Sequence, residues 1–311
     1  MTWTVKEQIL RDLFRFQKPE TRGESLHVRL IELLMVFQIL WHAWEWAFYL
    51  PMLSDVLSPT GLANYLDLSF FFRPETAFLN AFLISVAGLA GFLRRGKWYY
   101  LVVLILFHLQ YAARFSQGAI GHGTNLTGMV LLSFVLSDLF FRPGTERRRA
   151  ALGFMLFFAG LGYVSAGVSK LVGTGLIWPD GGHLYLWMGE RSIDKLSQQG
   201  TFRFNPLQEF LFEHYWAATL LLLGGLLSEL FGFLLWFRRA RAFQATLLIG
   251  MHLGILWIMN INFGPYMLIL LMIGYPWGDW IDRACMGSLN GRFKTGQERS
   301  GSSRNSGSSG S

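Results

Sequence analysis

Charge is scarce in this sequence of 311 residues, and cysteine is nearly absent. Charged residues make up 15% of the chain, against roughly 25% in an average globular domain. A soluble protein of this size covers its surface with charged side chains, so the composition excludes a soluble enzyme. The apolar content excludes a disordered chain. The single Cys285 has no second cysteine to bridge to, which excludes a disulfide scaffold.

Long apolar runs take the place of charge, and hydrophobic residues make up 52% of the chain. A helix crosses a bilayer with about 20 apolar residues. The last run, 244–275, exceeds one ordinary span, and Asn260 and Pro265 near its middle predict a break. One long kinked helix is the alternative there. The sequence therefore predicts an all-α polytopic membrane protein with about eight transmembrane helices, near 28–50, 77–93, 98–115, 124–141, 150–172, 216–237, 244–260 and 264–277.

The basic residues are distributed unevenly between the predicted loops. With eight spans, 21 of the 27 Lys and Arg residues lie in segments on one side of the membrane. Because Lys and Arg are retained on the cytoplasmic side, this bias predicts that both termini are cytoplasmic, in the plasma or inner membrane. The net charge of +7 is thus interpreted as a topology signal, and no nucleic acid partner is predicted.

The two ends and one loop differ from the apolar part of the chain. Residues 1–25 mix apolar and basic side chains, which predicts a cytoplasmic amphipathic segment rather than a signal peptide. Residues 26–280 form the predicted transmembrane domain. Its outer loop, 173–215, is rich in Trp, Phe, Tyr and Gly and is predicted to form short interfacial helices, with a lid as one interpretation. The Ser, Gly, Arg and Asn of 281–311 predict a disordered polar tail.

Polar side chains inside the predicted spans are the candidates for function, because each is costly in a bilayer and needs a partner or a role. Lys170 follows a stretch of small residues that allows close helix packing. It can either extend to the interface or act as a desolvated base. For Glu229 and His252, the alternative to a functional role is a structural hydrogen-bonded pair between neighbouring helices. The other candidates are Glu32, His42, Glu45, His108, Gln110, His122, Asn125 and Asn260.

Three motifs, in order, resemble those of one membrane protein family. They are Tyr163-Val-Ser-Ala-Gly-Val-Ser-Lys170-Leu171 followed by Trp178-Pro-Asp-Gly181, then Gly224-Gly-Leu-Leu-Ser-Glu229-Leu, then Met251-His252-Leu with Asn260, Phe263 and Pro265-Tyr266-Met267-Leu268. On these motifs, residues 25–280 resemble the horizontally transferred transmembrane (HTTM) domain family. That family is related to the membrane part of vitamin K-dependent gamma-carboxylase, and Glu229 stands where its helix motif has Asp.

The resemblance implies a chemistry and a set of site residues. The lysine of the family's KL pair is the catalytic base of the carboxylase and matches Lys170, with Glu229 and His252 as supporting or proton-relay groups. The implied cofactor is a reduced quinone similar to vitamin K hydroquinone. The resemblance implies that the lysine deprotonates this quinol, that oxygen adds, and that the resulting strong base acts on a second substrate. The candidate cofactor contacts are Trp178, Asn125, His122 and Tyr163.

Two classes of function stay open at the level of the sequence. The first is a quinol- or lipid-dependent membrane enzyme with Lys170 as base. The second is a non-catalytic partner, assembly factor or carrier, or a transporter. The stretch Gly121-His122-Gly-Thr-Asn125 reverses the family's asparagine–histidine order, which favours the second class. Expected partners are the lipid bilayer, a lipid-soluble small molecule, and a separate protein substrate or redox partner. No metal site is predicted.

Overall fold

The computed structural model describes residues 4–14, 19–53, 61–93, 98–117 and 122–285. Within these ranges the secondary structure is helical and no strand is present. Most of the predicted polar tail, and the basic residues Arg94, Arg95 and Lys97, lie outside the described residues. The helices are α1 (Val5–Phe14), α2 (Arg22–Tyr49), α3 (Pro74–Phe92), α4 (Tyr99–Phe115), α5 (Asn125–Phe140), α6 (Thr145–Thr174), α7 (Gly181–Gln199), α8 (Pro206–Glu213), α9 (Tyr215–Leu230), α10 (Arg238–Met259) and α11 (Gly264–Gly274). Shorter 3-10 helices are Leu50–Met52, Gly61–Asn64, Ser69–Phe72, His122–Thr124, Gly175–Ile177 and Phe231–Trp236.

The predicted apolar segments are helices, and five of them are long enough to cross a bilayer. Those five are Arg22–Met52, Pro74–Phe92, Thr145–Ile177, Tyr215–Trp236 and Arg238–Met259. The other three, α4, α5 and α11, have 17, 16 and 11 residues. At about 1.5 Å per residue they are shorter than the roughly 30 Å of hydrocarbon. The chain is therefore an all-helical protein whose apolar helices are compatible with an integral membrane protein.

The predicted break in the last apolar run is confirmed. Asn260 ends α10 in the left-handed conformation, with φ of 54°. Asparagine is one of the few residues other than glycine that adopts this conformation readily. The Asn262 side chain accepts a hydrogen bond from the N–H of Gly264 at 2.8 Å. Pro265 then lies in the first turn of α11, where a missing backbone donor costs nothing.

The small-residue face of α6 packs closely on the end of α9. A side chain at Gly160 would overlap the indole nitrogen of Trp236, and one at Gly167 would lie 3.0 Å from the Leu230 side chain. The Trp236 indole N–H also donates to the Phe157 carbonyl at 3.2 Å. The close packing predicted for this face is confirmed, and it brings the two elements that carry Lys170 and Glu229 together.

At one end of the bundle, ion pairs and hydrogen bonds connect residues at the N-termini of several helices. Arg148 at the start of α6 donates to Glu20, which precedes α2. This hydrogen bonding holds the pKa of Glu20 below its usual value. The N–H of Gly23 donates to Asp282 at 2.9 Å, and residues 277–285 are helical. The beginnings of α2 and α6 and the last described residues therefore lie at the same end.

The N-terminal helix α1 is amphipathic, and part of its apolar face binds the protein. Leu13 is buried, and the rings of Phe14 and Phe154 lie 5.5 Å apart in an edge contact with α6. Val5 and Leu10 remain exposed. The amphipathic helix is confirmed, and its position on the membrane face stays a prediction.

Glu32, a sequence candidate, belongs to a buried charge cluster at this same end. Its carboxylate accepts hydrogen bonds from Tyr100 at 2.9 Å, Arg147 at 3.2 Å and Arg29 at 2.8 Å. Arg147 also pairs with Asp138. These contacts join α2, α4, α5 and α6, so the role visible for Glu32 is to hold four helices together.

Candidate functional site

A cavity of about 670 Å³ lies among α6, α7, α9 and α10. Its walls are mainly Leu, Ile, Phe, Met and Gly side chains, and Trp178 and Trp187 form part of one side. The volume is within the range of small-molecule pockets, roughly 300–1,000 Å³. The polar residues in its walls include Lys170, Glu229, Ser228 and Gln244.

Lys170 and Glu229 form an ion pair in the wall of this cavity. The Lys170 Nζ donates to both oxygens of the Glu229 carboxylate. The Lys170 side chain is 30% exposed and that of Glu229 is 8% exposed. The Nζ also lies 4.8 Å from the centre of the Trp178 ring, a cation–π contact. Of the two alternatives for Lys170, an extension to the interface and a place in a pocket, the geometry favours the pocket.

The Trp178-Pro-Asp-Gly turn fixes the aromatic ring over the lysine. The Asp180 side chain caps α7 by accepting from the N–H of Gly182 at 2.8 Å. Hydrogen bonds from the Tyr215 hydroxyl and from Gly182 hold the pKa of Asp180 below its usual value. Trp178 also packs on Trp187 of α7, with ring centres 5.6 Å apart.

His252 belongs to a neighbouring pair outside the cavity wall. Its Nε2 is hydrogen-bonded to the Tyr163 hydroxyl at 2.8 Å, and its ring packs on Phe263 at 4.8 Å. Tyr163 and Lys170 are seven residues apart on α6, so they share a face and lie about 10 Å apart along the helix. The sequence offered a hydrogen-bonded pair between Glu229 and His252 as an alternative. In the structure Glu229 pairs with Lys170 instead, and His252 pairs with Tyr163.

Asn125 is not grouped with Lys170, and the side chain of His122 lies outside the described part of the chain. Asn125 begins α5 and accepts a hydrogen bond from the Tyr111 hydroxyl at 2.9 Å. Among the described residues, those that line the cavity do not include Asn125. His122 begins the 3-10 helix that precedes α5. Of the candidate cofactor contacts whose side chains the structure describes, Trp178 lies in the cavity wall, and Asn125 and Tyr163 do not.

Gln244 is a site residue that the sequence did not single out. It is fully buried in α10, lines the cavity, and donates from Nε2 to the Ser228 carbonyl at 2.7 Å. Its Oε1 has no hydrogen-bond partner among the described residues. The sequence does show an amide side chain at the start of the apolar run 244–275. Its hydrogen-bond partner, however, lies 16 residues earlier in the chain, on α9, and is visible only in the structure.

Three other polar candidates, His42, Glu45 and Gln110, have structural partners elsewhere. His42 and Glu45 are hydrogen-bonded at 3.0 Å on one face of α2. Gln110 is fully buried and donates to the Ala43 carbonyl at 2.9 Å. In the part of the chain that the structure describes, no group of three or more His, Cys, Asp or Glu side chains is arranged to hold a metal ion.

Comparisons with known protein families, with curated proteins and with solved structures found no match to this chain. The resemblance to the HTTM family therefore stays a prediction from the sequence motifs.

Proposed function

We propose that this protein binds a lipid-soluble molecule in the cavity and that Lys170 acts on it as a base. The observation that carries the proposal is the Lys170–Glu229 pair in the wall of an otherwise largely apolar cavity. An apolar lining suits a molecule that arrives through the bilayer, and a few polar groups then fix its orientation.

The pair offers a route for a proton. Lys170 already donates to both oxygens of Glu229, so its proton can pass to the carboxylate and leave a neutral amine. An apolar surrounding favours a neutral amine and carboxylic acid over two separated charges. The amine then accepts a proton from a hydroxyl of the ligand, whose O–H bond breaks as an N–H bond forms.

A reduced quinone fits these residues, in line with the family resemblance. Trp178, Trp187 and the aliphatic walls would hold its ring and tail, and Lys170 with Glu229 would meet one hydroxyl group. When bound, such a quinol supplies reducing equivalents for oxygen-dependent chemistry. The protein would supply orientation, exclusion of water and the base.

The topology is part of the proposal. We propose eight spans with both termini in the cytoplasm, in the plasma or inner membrane. This is supported by the basic bias of the loops and by the eight apolar helices. The first residues of α2 and α6 lie at the same end of the bundle as residues 277–285. Eight crossings would require this arrangement.

The test of the base is a comparison of Lys170→Arg with Lys170→Met. Arginine keeps the ion pair with Glu229 but does not give up its proton. With a reduced short-chain naphthoquinone in nanodiscs, both variants should lose oxygen uptake by about 100-fold or more. The arginine variant should still retain bound naphthoquinone, measured by mass spectrometry. Lys195→Met on α7 is the matched control and should keep wild-type oxygen uptake.

Oxygen uptake by Lys170→Arg at the wild-type rate would show that Lys170 is not the base. The second candidate function is a non-catalytic lipid-binding protein or carrier. It is favoured by the engagement of Lys170 with both oxygens of Glu229, since an Nζ directed at the carboxylate is less free to contact a ligand. Naphthoquinone binding without oxygen uptake above that of empty nanodiscs would select it. Identification of lipids and quinones that copurify with the protein tests both candidates.

A further inference from the structure

The cavity is open along one side, between α9 and α10. Several of the residues that line it are also exposed on the surface of the molecule. They are Leu221, Gly224 and Phe231 on one edge, and Phe243, Leu247 and Gly250 on the other. We call this opening the side cleft. Both edges belong to segments that are long and apolar enough to cross a bilayer, so the side cleft faces lipid in the proposed membrane arrangement.

A glycine lies on each edge of the side cleft, and close helix packing does not explain either one. A side chain at Gly224 or at Gly250 would meet no atom of the described residues within 4 Å. At Gly160 of α6, by contrast, a side chain would overlap Trp236. Glycine inside a helix costs about 1 kcal/mol relative to alanine. The two glycines therefore widen an opening that the protein itself does not fill.

The polar end of a ligand has a partner close to the side cleft. The Lys170–Glu229 ion pair is in the wall of the same cavity. Ser228, which precedes Glu229 on α9, has its hydroxyl 3.3 Å from the sulfur of Met251, which follows Gly250 on α10. Glu229 and Gly250 are therefore at a similar depth in the bundle. A head group bound at the ion pair has the side cleft beside it.

We propose that the ligand is an amphiphile whose polar head binds at the Lys170–Glu229 pair and whose hydrocarbon chain leaves the cavity through the side cleft into the bilayer. The inference rests on the proposed function and adds the class of molecule that the site takes. A closed cavity of about 670 Å³ would limit the size of the chain. An open cleft sets no such limit, because the chain has apolar surroundings on both sides of the opening.

The test compares two phenols that share a head group, para-geranylphenol and para-solanesylphenol. The geranyl chain fits a cavity of about 670 Å³, and the much longer solanesyl chain does not. Each phenol is added to the purified full chain in nanodiscs, and bound phenol is quantified by mass spectrometry against empty nanodiscs of the same lipid. Wild-type protein should bind both with affinities equal to within about twofold, because the additional chain stays in lipid.

Gly224→Leu/Gly250→Leu narrows the side cleft from both edges. Leucine is a better helix former than glycine and its side chain enters open space here, so this variant should fold. It should bind para-solanesylphenol about tenfold more weakly than the wild type does, because the chain must displace the leucine side chains. Its binding of para-geranylphenol should stay at the wild-type level.

Gly162→Leu/Gly189→Leu is the matched control. At these two positions, on α6 and α7, a side chain would also meet no described atom within 4 Å. Among the described residues, those that line the cavity include neither glycine. The control variant should therefore bind both phenols as the wild type does, and an equal loss of para-solanesylphenol in the control would contradict a role for the side cleft.

Binding of para-geranylphenol alone by the wild type would show that the cavity is closed to the chain. That result overturns the inference and leaves the proposed lipid-binding function standing. Equal binding of both phenols by Gly224→Leu/Gly250→Leu has the same consequence. If neither phenol binds the wild type above empty nanodiscs, the proposed function and this inference both fail. The wild-type comparison decides even if the double variant does not fold.

Discussion

The role of an ionisable side chain in this protein depends on the side chain that it contacts. Lys170 and Glu229 are separated by 59 residues and share one contact. Each would be costly alone in an apolar cavity, and together they neutralise each other. The Lys170 side chain is 30% exposed and so has more room to move away from its partner than Glu229, which is 8% exposed.

This difference in exposure predicts unequal effects of single substitutions. Glu229→Leu leaves a lysine that can bend outward, and it should lower the free energy of unfolding by about 1–2 kcal/mol. Lys170→Met leaves a buried carboxylate without its cation and should cost more, about 3 kcal/mol. Chemical denaturation in detergent micelles measures both values.

The double variant Lys170→Met/Glu229→Leu provides the control for this pair. With both charges gone, no uncompensated charge remains, so it should be more stable than Lys170→Met alone. Additive losses in the double variant would show that the two side chains do not stabilise each other.

At the scale of helices, the decisive contact is the packing of α6 on the end of α9. Without a hydrophobic driving force between helices in a bilayer, close approach of backbones at small residues provides much of the association. Gly160 and Gly167 are the positions where α6 meets Trp236 and Leu230. This packing sets the distance between the helices that carry the ion pair.

Gly160→Ala tests that packing directly. The added methyl group would overlap the Trp236 ring, so the variant should lose about 1–3 kcal/mol of stability. Gly162→Ala is the matched control on the same helix, because a methyl group there meets nothing within 4 Å. The control should be neutral or slightly stabilising, by up to about 1 kcal/mol. Thermal unfolding of both variants in the same detergent gives the comparison, and equal losses would rule out a special role for Gly160.

At the scale of the whole molecule, one end of the bundle carries a set of ion pairs and hydrogen bonds between its charged side chains. Two contacts connect segments near the ends of the described chain with the bundle. Glu20 accepts from Arg148, and the N–H of Gly23 donates to Asp282. Lys170 is almost at the opposite end of α6 from Arg148. The proposed cytoplasmic face is thus the end that carries these contacts.

The single cysteine provides a direct probe of this orientation. Cys285 is exposed at the end of the last described helical residues. If both termini are cytoplasmic, a membrane-impermeant maleimide added to intact cells should label Cys285 only after the membrane is permeabilised. In a Cys285→Ser background, Thr201→Cys in the outer loop should be labelled without permeabilisation. Labelling of Cys285 in intact cells would overturn the proposed topology.

The fold could be predicted to a large extent, and the site only in part. Helix positions follow from apolar periodicity and from local breaks such as Asn260, which act within a few residues. Lys170 and Glu229 stood out because ionisable groups within apolar runs are conspicuous, and Trp178 stood out only through the family resemblance. Gln244 did not, because an amide at the start of a span becomes informative only when its partners are known.

By itself the sequence determined that the chain is helical and apolar, where its apolar helices lie along the chain to within several residues, and that the small-residue face of α6 packs closely. These properties depend on composition and on neighbours along the chain. Only the tertiary structure decided that Lys170 pairs with Glu229, that His252 pairs with Tyr163 outside the cavity, and that Asn125 lies elsewhere. Each of these contacts joins different helices, and their relative rotation and depth are fixed by packing across the whole bundle.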